Sequence, residues 1–172
     1  VAAGVRLGRE YMRGWGTIVE IKDLLPPDGV TADLKGTSKK QALQDLAKRA
    51  AEVSGLQERA VFDVLMERER LGTTGVGNGI AIPHGKLPNL DRLYGFFARL
   101  GQPIDFQAID ERPVDLIFVL LAPESAGADH LKALARISRL LRDQGVCDKL
   151  RGTDSAEALF AILTESEEDR AA

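Results

Sequence analysis

The stretch Arg68-Glu-Arg-Leu-Gly-Thr-Thr-Gly-Val-Gly-Asn-Gly-Ile-Ala-Ile-Pro-His-Gly-Lys86 decides how this chain folds. It begins as the end of a helical pattern, passes through a Gly-rich segment over 72–79, and leaves it as a short apolar strand, Ile80-Ala-Ile82. Gly75-Val-Gly-Asn-Gly79 is thus followed by a strand where the dinucleotide fingerprint requires a helix, so that motif fails. No GxxxxGK[ST] run occurs, which removes a Walker-type nucleotide site, and nothing resembles the kinase Asp-Phe-Gly. Any phosphate handled here must arrive on another molecule.

Upstream of the loop, a helix is expected from about Gln57 to Leu71, with Val61, Val64 and Leu65 as its apolar stripe. At about 3.6 residues per turn, Arg68 falls within roughly 20° of Val61, while Arg70 points to the solvent side. A guanidinium at the end of a buried face needs an anionic partner, either a structural carboxylate or a phosphoryl group. Before it, Ser38 opens another helix, with Gln41 as capping-box partner and Leu43, Leu46, Ala47, Ala50 and Val53 on the apolar face. Gly55 fits its stop. A turn at Pro26-Pro-Asp-Gly29 and a strand at Val30–Leu34 precede that helix.

Downstream, Pro83 is expected to end the strand. Further strands are expected at Leu93–Leu100 and Val114–Leu121, joined by a connection holding Gly101, Pro103 and Pro113. From Asp129 a helix carries Leu131, Leu134, Ile137 and Leu141 on one stripe. Short helices around Val146–Leu150 and Ser155–Leu163 follow. Strands interleaved with helices point to an α/β fold, and hairpin-like neighbours to a mixed sheet in a single domain over 21–166. Residues 1–20 read as a flexible N-terminal extension, since Met12 could equally open the chain, and 167–172 as a frayed acidic tail.

Composition narrows the partners. The 172 residues are 44% apolar and 28% charged with a formal charge of −3, and the signs are intermixed. That gives no basic stripe for nucleic acid. The longest apolar run, Leu116 to Ala122, is far short of the roughly 20 residues that span a bilayer. No secretory h-region opens the chain, so the expected setting is cytoplasmic. One cysteine, Cys147, excludes an intrachain disulfide and a CxxC site.

The chemistry rests on two histidines, His84 and His130. Pro83 fixes the backbone before His84, and Gly85 allows close approach behind it. Thr73, Thr74, Gly75, Gly77 and Gly79 are candidate phosphate-loop residues, because such a loop can present backbone N–H groups to an anion, although most Gly-rich loops are only turns. His130 sits beside Asp129 at a helix start, where the macrodipole favours an anion; it is either a capping residue or a hydrogen-bond partner of a phosphoryl group or of the first imidazole. Zinc is disfavoured, since no short-spaced ligand pair such as HExxH exists. A hydrolase is disfavoured too: GxSxG is absent and Cys147 has no histidine nearby in sequence.

Arg68 to Lys86 strongly resembles the active-site signature of the mannitol/fructose-class IIA domains of the bacterial phosphoenolpyruvate-dependent phosphotransferase system, and within them the nitrogen-regulatory branch. Pro103-Ile-Asp-Phe-Gln-Ala-Ile-Asp110, Pro113-Val-Asp-Leu-Ile-Phe118 and His130-Leu-Lys-Ala-Leu134 extend the resemblance over about 20–166. It implies a mixed sheet of about five strands with helices on both faces. It also implies phosphorylation of His84, assisted by Arg68 through charge and by His130 through hydrogen bonding, with no cofactor and no metal. The implied donor is a phosphohistidine on an HPr-like carrier, and the implied output is regulation of targets such as potassium transport or sensor-kinase systems. The alternative is a IIA subunit passing phosphoryl groups to a IIB domain for fructose- or mannitol-type transport. These residues contain no IIB cysteine motif and no membrane span, which points to regulation.

Overall fold

A computed structural model describes residues 19–165. The expected extension and acidic tail fall almost wholly outside them. The elements in chain order are α1 (Ile21–Leu24), a 3-10 turn (Pro27–Gly29), β1 (Val30–Leu34), α2 (Lys39–Ser54), α3 (Glu58–Arg70), β2 (Gly75–Gly77), β3 (Ile80–Ala81), β4 (His84–Leu87), β5 (Tyr94–Ile104), β6 (Val114–Pro123), α4 (Ala128–Arg142), α5 (Gln144–Arg151) and α6 (Ala156–Thr164). The sheet has six strands in the order β1-β5-β6-β3-β2, with β4 also on β6. β5 runs antiparallel to β6 and β2 to β3, whereas β1–β5, β3–β6 and β4–β6 are parallel. The expected mixed α/β sheet is present.

Alternation along the central strands sorts the core into two layers. Ile117, Val119 and Leu121 of β6 pack with Leu43, Leu46, Val61 and Leu65 of α2 and α3. Leu116, Phe118 and Leu120 pack on the other face with Ile137, Leu141, Leu150 and Leu159 of α4 to α6. Helices therefore cover both faces, as the uninterrupted apolar run of β6 requires. Ser38 caps α2 by accepting from the Gln41 N–H at 3.2 Å, and Gly55 ends that helix at φ 76°. The Gln41 side chain reaches Thr37 instead of closing a capping box on Ser38.

β3 stops before Pro83, as expected, yet the Pro83 carbonyl accepts from Leu120 N at 2.9 Å, and His84 to Leu87 resume pairing with β6 as a new strand. Proline lacks only a donor, and its acceptor keeps the β6 ladder continuous. The Gly-rich segment is a hairpin, with Asn78 and Gly79 both at positive φ (57° and 80°) as a two-residue turn favours. Leu131 is not on the buried stripe of α4 but is 67% exposed; His130, Ala133, Ile137, Leu140 and Leu141 face inward. One residue is about 100° of helix, so shifting the stripe by one puts a histidine where a leucine was expected.

Gly85 matters for packing between layers. A Cβ built there would overlap the Cγ1 of Val64, so β4 approaches α3 as only glycine permits. Gly85→Ala is expected to destabilise the chain by about 1–3 kcal/mol in urea unfolding, as overpacking does. Adding Val64→Ala should recover most of that loss. An unchanged midpoint in the single variant would show that the two elements are not in tight contact.

Candidate active site around His84

His84 opens β4, opposite Leu120, and Arg68 reaches it from the last turn of α3. The His84 Nδ1 lies 2.9 Å from the Ile82 carbonyl oxygen. A carbonyl only accepts, so Nδ1 carries the proton and Nε2 holds the lone pair. Arg68 Nε donates to that Nε2 at 3.2 Å, and its Nη1 donates to the Gly72 carbonyl at 3.0 Å. The guanidinium thus bridges the loop and the imidazole. His130 enters from the first turn of α4, its ring centroid 5.6 Å from that of His84. It is 9% exposed, and its Nε2 is buried with no hydrogen-bond partner among the described residues. The three residues singled out in the sequence converge.

Arg68 itself is only half-buried. The position that continues the Val61–Leu65 stripe inward is Glu69, 8% exposed, which sequence reasoning missed. Spacing alone could have signalled it, because 61, 65 and 69 are successive i+4 steps; its partner could not have been found that way. The Glu69 carboxylate accepts from the Thr74 N–H and from its hydroxyl, while Thr73 Oγ1 donates to the Phe106 carbonyl and accepts from Gly75 N. At the hairpin tip Asn78 N donates to Asp110 at 2.9 Å, and Arg151 spans Asp115 and the Asn78 carbonyl. Of the candidate phosphate-loop residues, both threonine hydroxyls and the Thr74 and Gly75 amides bond within the chain, and Gly77 and Gly79 serve the turn at positive φ.

Burial lowers the pKa of His84 below the ordinary value near 6.5, and the Arg68 charge lowers it further against the opposing Ile82 carbonyl. His130 is lowered by burial first, then by His84 and Lys86. Both rings are therefore neutral at pH 7, the state a nucleophile needs. For such groups the unfolded chain binds more protons between the folded and unfolded pKa values. Stability is then full above about pH 6.5 and declines as pH falls through the folded values. The rate at which His84 acts as a nucleophile should be flat above about pH 6.5 and fall with a midpoint below it. A midpoint above 6.5 in the pH profile would contradict this electrostatic picture.

Among the described residues no group of three or more His, Cys, Asp or Glu side chains is arranged to hold a metal ion, and no helix is long and apolar enough to cross a membrane. Cys147 is buried, with its thiol pointing at the Leu141 carbonyl.

Comparison with known proteins identifies the family. The family described as phosphoenolpyruvate-dependent sugar phosphotransferase system, EIIA 2, matches residues 23–166. The nitrogen regulatory protein of Bradyrhizobium diazoefficiens is 62% identical over 143 residues, covering 83% of this chain and 94% of that protein. Its Escherichia coli K12 counterpart is 40% identical over 152 residues, covering 88% and 93%. The crystal structure of nitrogen regulatory protein IIA-Ntr from Neisseria meningitidis matches with a TM-score of 0.79 at 37% identity, covering 84% of this chain and 99% of that one. The chain belongs to the EIIA 2 family of the phosphoenolpyruvate-dependent phosphotransferase system.

Proposed function

We propose that this chain is a phosphohistidine carrier of a nitrogen-regulatory phosphotransferase system, acting in the cytoplasm. It accepts a phosphoryl group on Nε2 of His84 from an HPr-like protein and regulates target proteins by its phosphorylation state. The observation that carries the reading is the pairing at one imidazole: Nδ1–H bound to the Ile82 carbonyl, and the Nε2 lone pair turned toward the Arg68 guanidinium. The similarity to proteins named for nitrogen regulation supports a regulatory output over sugar transport.

In the transfer, the Nε2 lone pair forms a bond to phosphorus as the P–N bond of the donor breaks, and that electron pair returns to the donor imidazole. No proton moves between the rings. The product ring keeps Nδ1–H and is cationic, so the Ile82 carbonyl stabilises it. Arg68 turns from Nε2 to the phosphoryl oxygens, and the His130 nitrogen left without a partner among the described residues bonds the same group. Exchange between two similar nitrogens is nearly symmetric, so catalysis reduces to positioning and charge neutralisation. Leu71, 85% exposed three residues after Arg68, and Leu131, 67% exposed next to His130 in sequence, offer a donor protein apolar anchors.

The test is labelling from phosphoenolpyruvate through enzyme I and an HPr-like carrier, with the label mapped by peptide. One acid-labile phosphoryl group on the His84 peptide is expected; label on another residue rejects the assignment. Loss of that label on adding a IIB domain would favour the transport alternative. Retention, with binding of a target such as a sensor kinase or potassium transport protein that changes on phosphorylation, supports regulation.

A further inference from the structure

Beneath the loop lies an ion pair that the transfer chemistry does not itself require. Glu69 meets Lys39 Nζ at 2.6 Å, with side chains 3% and 16% exposed. Lys39 is the first residue of α2, and its ammonium also lies 4.9 Å from the centre of the Phe106 ring. Burying a carboxylate and an ammonium is costly, and replacing such a pair with apolar side chains often leaves stability unchanged. Stability is therefore a weak reason for the pair, and what it holds in register is a better one.

The contacts run from the pair to the nucleophile without a gap. Glu69 accepts from the Thr74 N–H at 3.1 Å and from the Thr74 hydroxyl. The Thr74 carbonyl accepts from Ile82 N at 3.0 Å, and the Ile82 carbonyl accepts from His84 Nδ1 at 2.9 Å. Glu69 also adjoins Arg68 on the same turn of α3, and the Gly72 N–H that closes this turn donates to the Glu69 carbonyl at 3.2 Å. One anchored turn thus sends a guanidinium to one ring nitrogen and, through the Thr74 N–H and one backbone bond to Ile82, sets the carbonyl that faces the other.

We propose that Lys39 and Glu69 are a positioning pair that fixes the tautomer and orientation of His84, by locking Thr74 and hence the Ile82 carbonyl against Nδ1–H. The inference rests on reading His84 as the phosphoryl acceptor. If the lock loosens, the ring samples the tautomer with its proton on Nε2, which has no lone pair there to attack phosphorus. Neither residue touches the phosphoryl group.

The test compares Glu69→Gln and Lys39→Gln with the parent chain, using donor-dependent labelling rates and the ring 15N resonances of His84. In the parent, one pyrrole-like and one pyridine-like nitrogen are expected. In both variants the saturating rate should fall about 10- to 100-fold, as small misplacements of reacting groups do. The donor KM should stay within about two-fold, and the two 15N resonances should move toward each other. Folded variants with parental rates and parental 15N positions overturn the proposal, as does a rate loss matched entirely by a lower folded fraction. Should Glu69→Gln not fold, Lys39→Gln carries the same decision, because its side chain is the more exposed of the two. His84→Ala in the same series separates the failures. Label persisting on that variant defeats the acceptor reading, whereas its absence alongside unaffected Glu69 and Lys39 variants defeats only the positioning pair.

Discussion

His84→Ala is expected to take up no label from a phosphorylated HPr-like donor, while remaining folded. The imidazole makes two hydrogen bonds, Nδ1–H to the Ile82 carbonyl and Nε2 accepting from Arg68 Nε, and sits half-buried at the start of β4. Losing each such bond costs about 0.5–1.5 kcal/mol, small beside the stability of a domain with two full core layers. The other histidine, His130, is only 9% exposed, its ring tilted 50° to that of His84, so it offers a donor little access as a substitute nucleophile. The check is labelling under saturating donor together with a thermal unfolding curve. Full labelling of a folded variant would remove His84 from the mechanism, and with it the functional reading.

Arg68→Ala is expected to lower the saturating transfer rate by about 10²–10³-fold, leaving the acceptor itself intact. A charge pair at about 4 Å is worth ~1 kcal/mol in bulk water and ~4 kcal/mol at an effective dielectric of 20. Removing a single preorganised donor from a transition-state charge commonly costs 10²–10³ in rate. Because Arg68 is only half-buried, water screens it and the smaller end of that range is expected. The rate should fall more than donor affinity, since the guanidinium meets the group chiefly as charge redistributes during transfer. Arg68→Lys should restore only part of the loss. An ammonium cannot both donate to the Gly72 carbonyl, as Nη1 does at 3.0 Å, and present a second planar donor to the ring. A rate within two-fold of the parent for Arg68→Ala would show that charge neutralisation is supplied elsewhere.

The site was legible in sequence where its residues lie close along the chain or carry unusual side chains. Arg68 and His84 are 16 residues apart in one continuous signature, and the chain holds only two histidines, so few alternatives competed. Glu69 was equally close but was missed, because a carboxylate in the last turn of a helix is ordinarily solvated. The approach of Lys39 from the start of α2 and the Thr74 N–H and hydroxyl together make its burial sensible. The internal bonds of the Gly-rich run were illegible for a related reason: it looks the same in sequence whether its N–H groups face a ligand or, as Thr74 N and Asn78 N do, face Glu69 and Asp110.

For the fold, the helix over Glu58–Arg70 and the strand over Val114–Pro123 follow from apolar periodicity, since periodicity reports which face of a local element meets the core. The capping serine and the glycine stop of α2 followed likewise from residues within a turn of each other. Sequence alone therefore determined the type and order of most elements, the mixed α/β class and the candidate nucleophile. The tertiary structure decided the resumption of pairing after Pro83, the hairpin of β2 and β3, the rotation of α4 that turns His130 inward, and the proton position on His84. Pairing after Pro83 depends on Leu120, and the inward face of α4 on Leu116, Phe118 and Leu120 of β6, partners about which local preference carries no information. The hairpin and the His84 proton rest on short-range contacts, Gly75 with Ala81 and Nδ1 with the Ile82 carbonyl, whose geometry residue type alone does not fix.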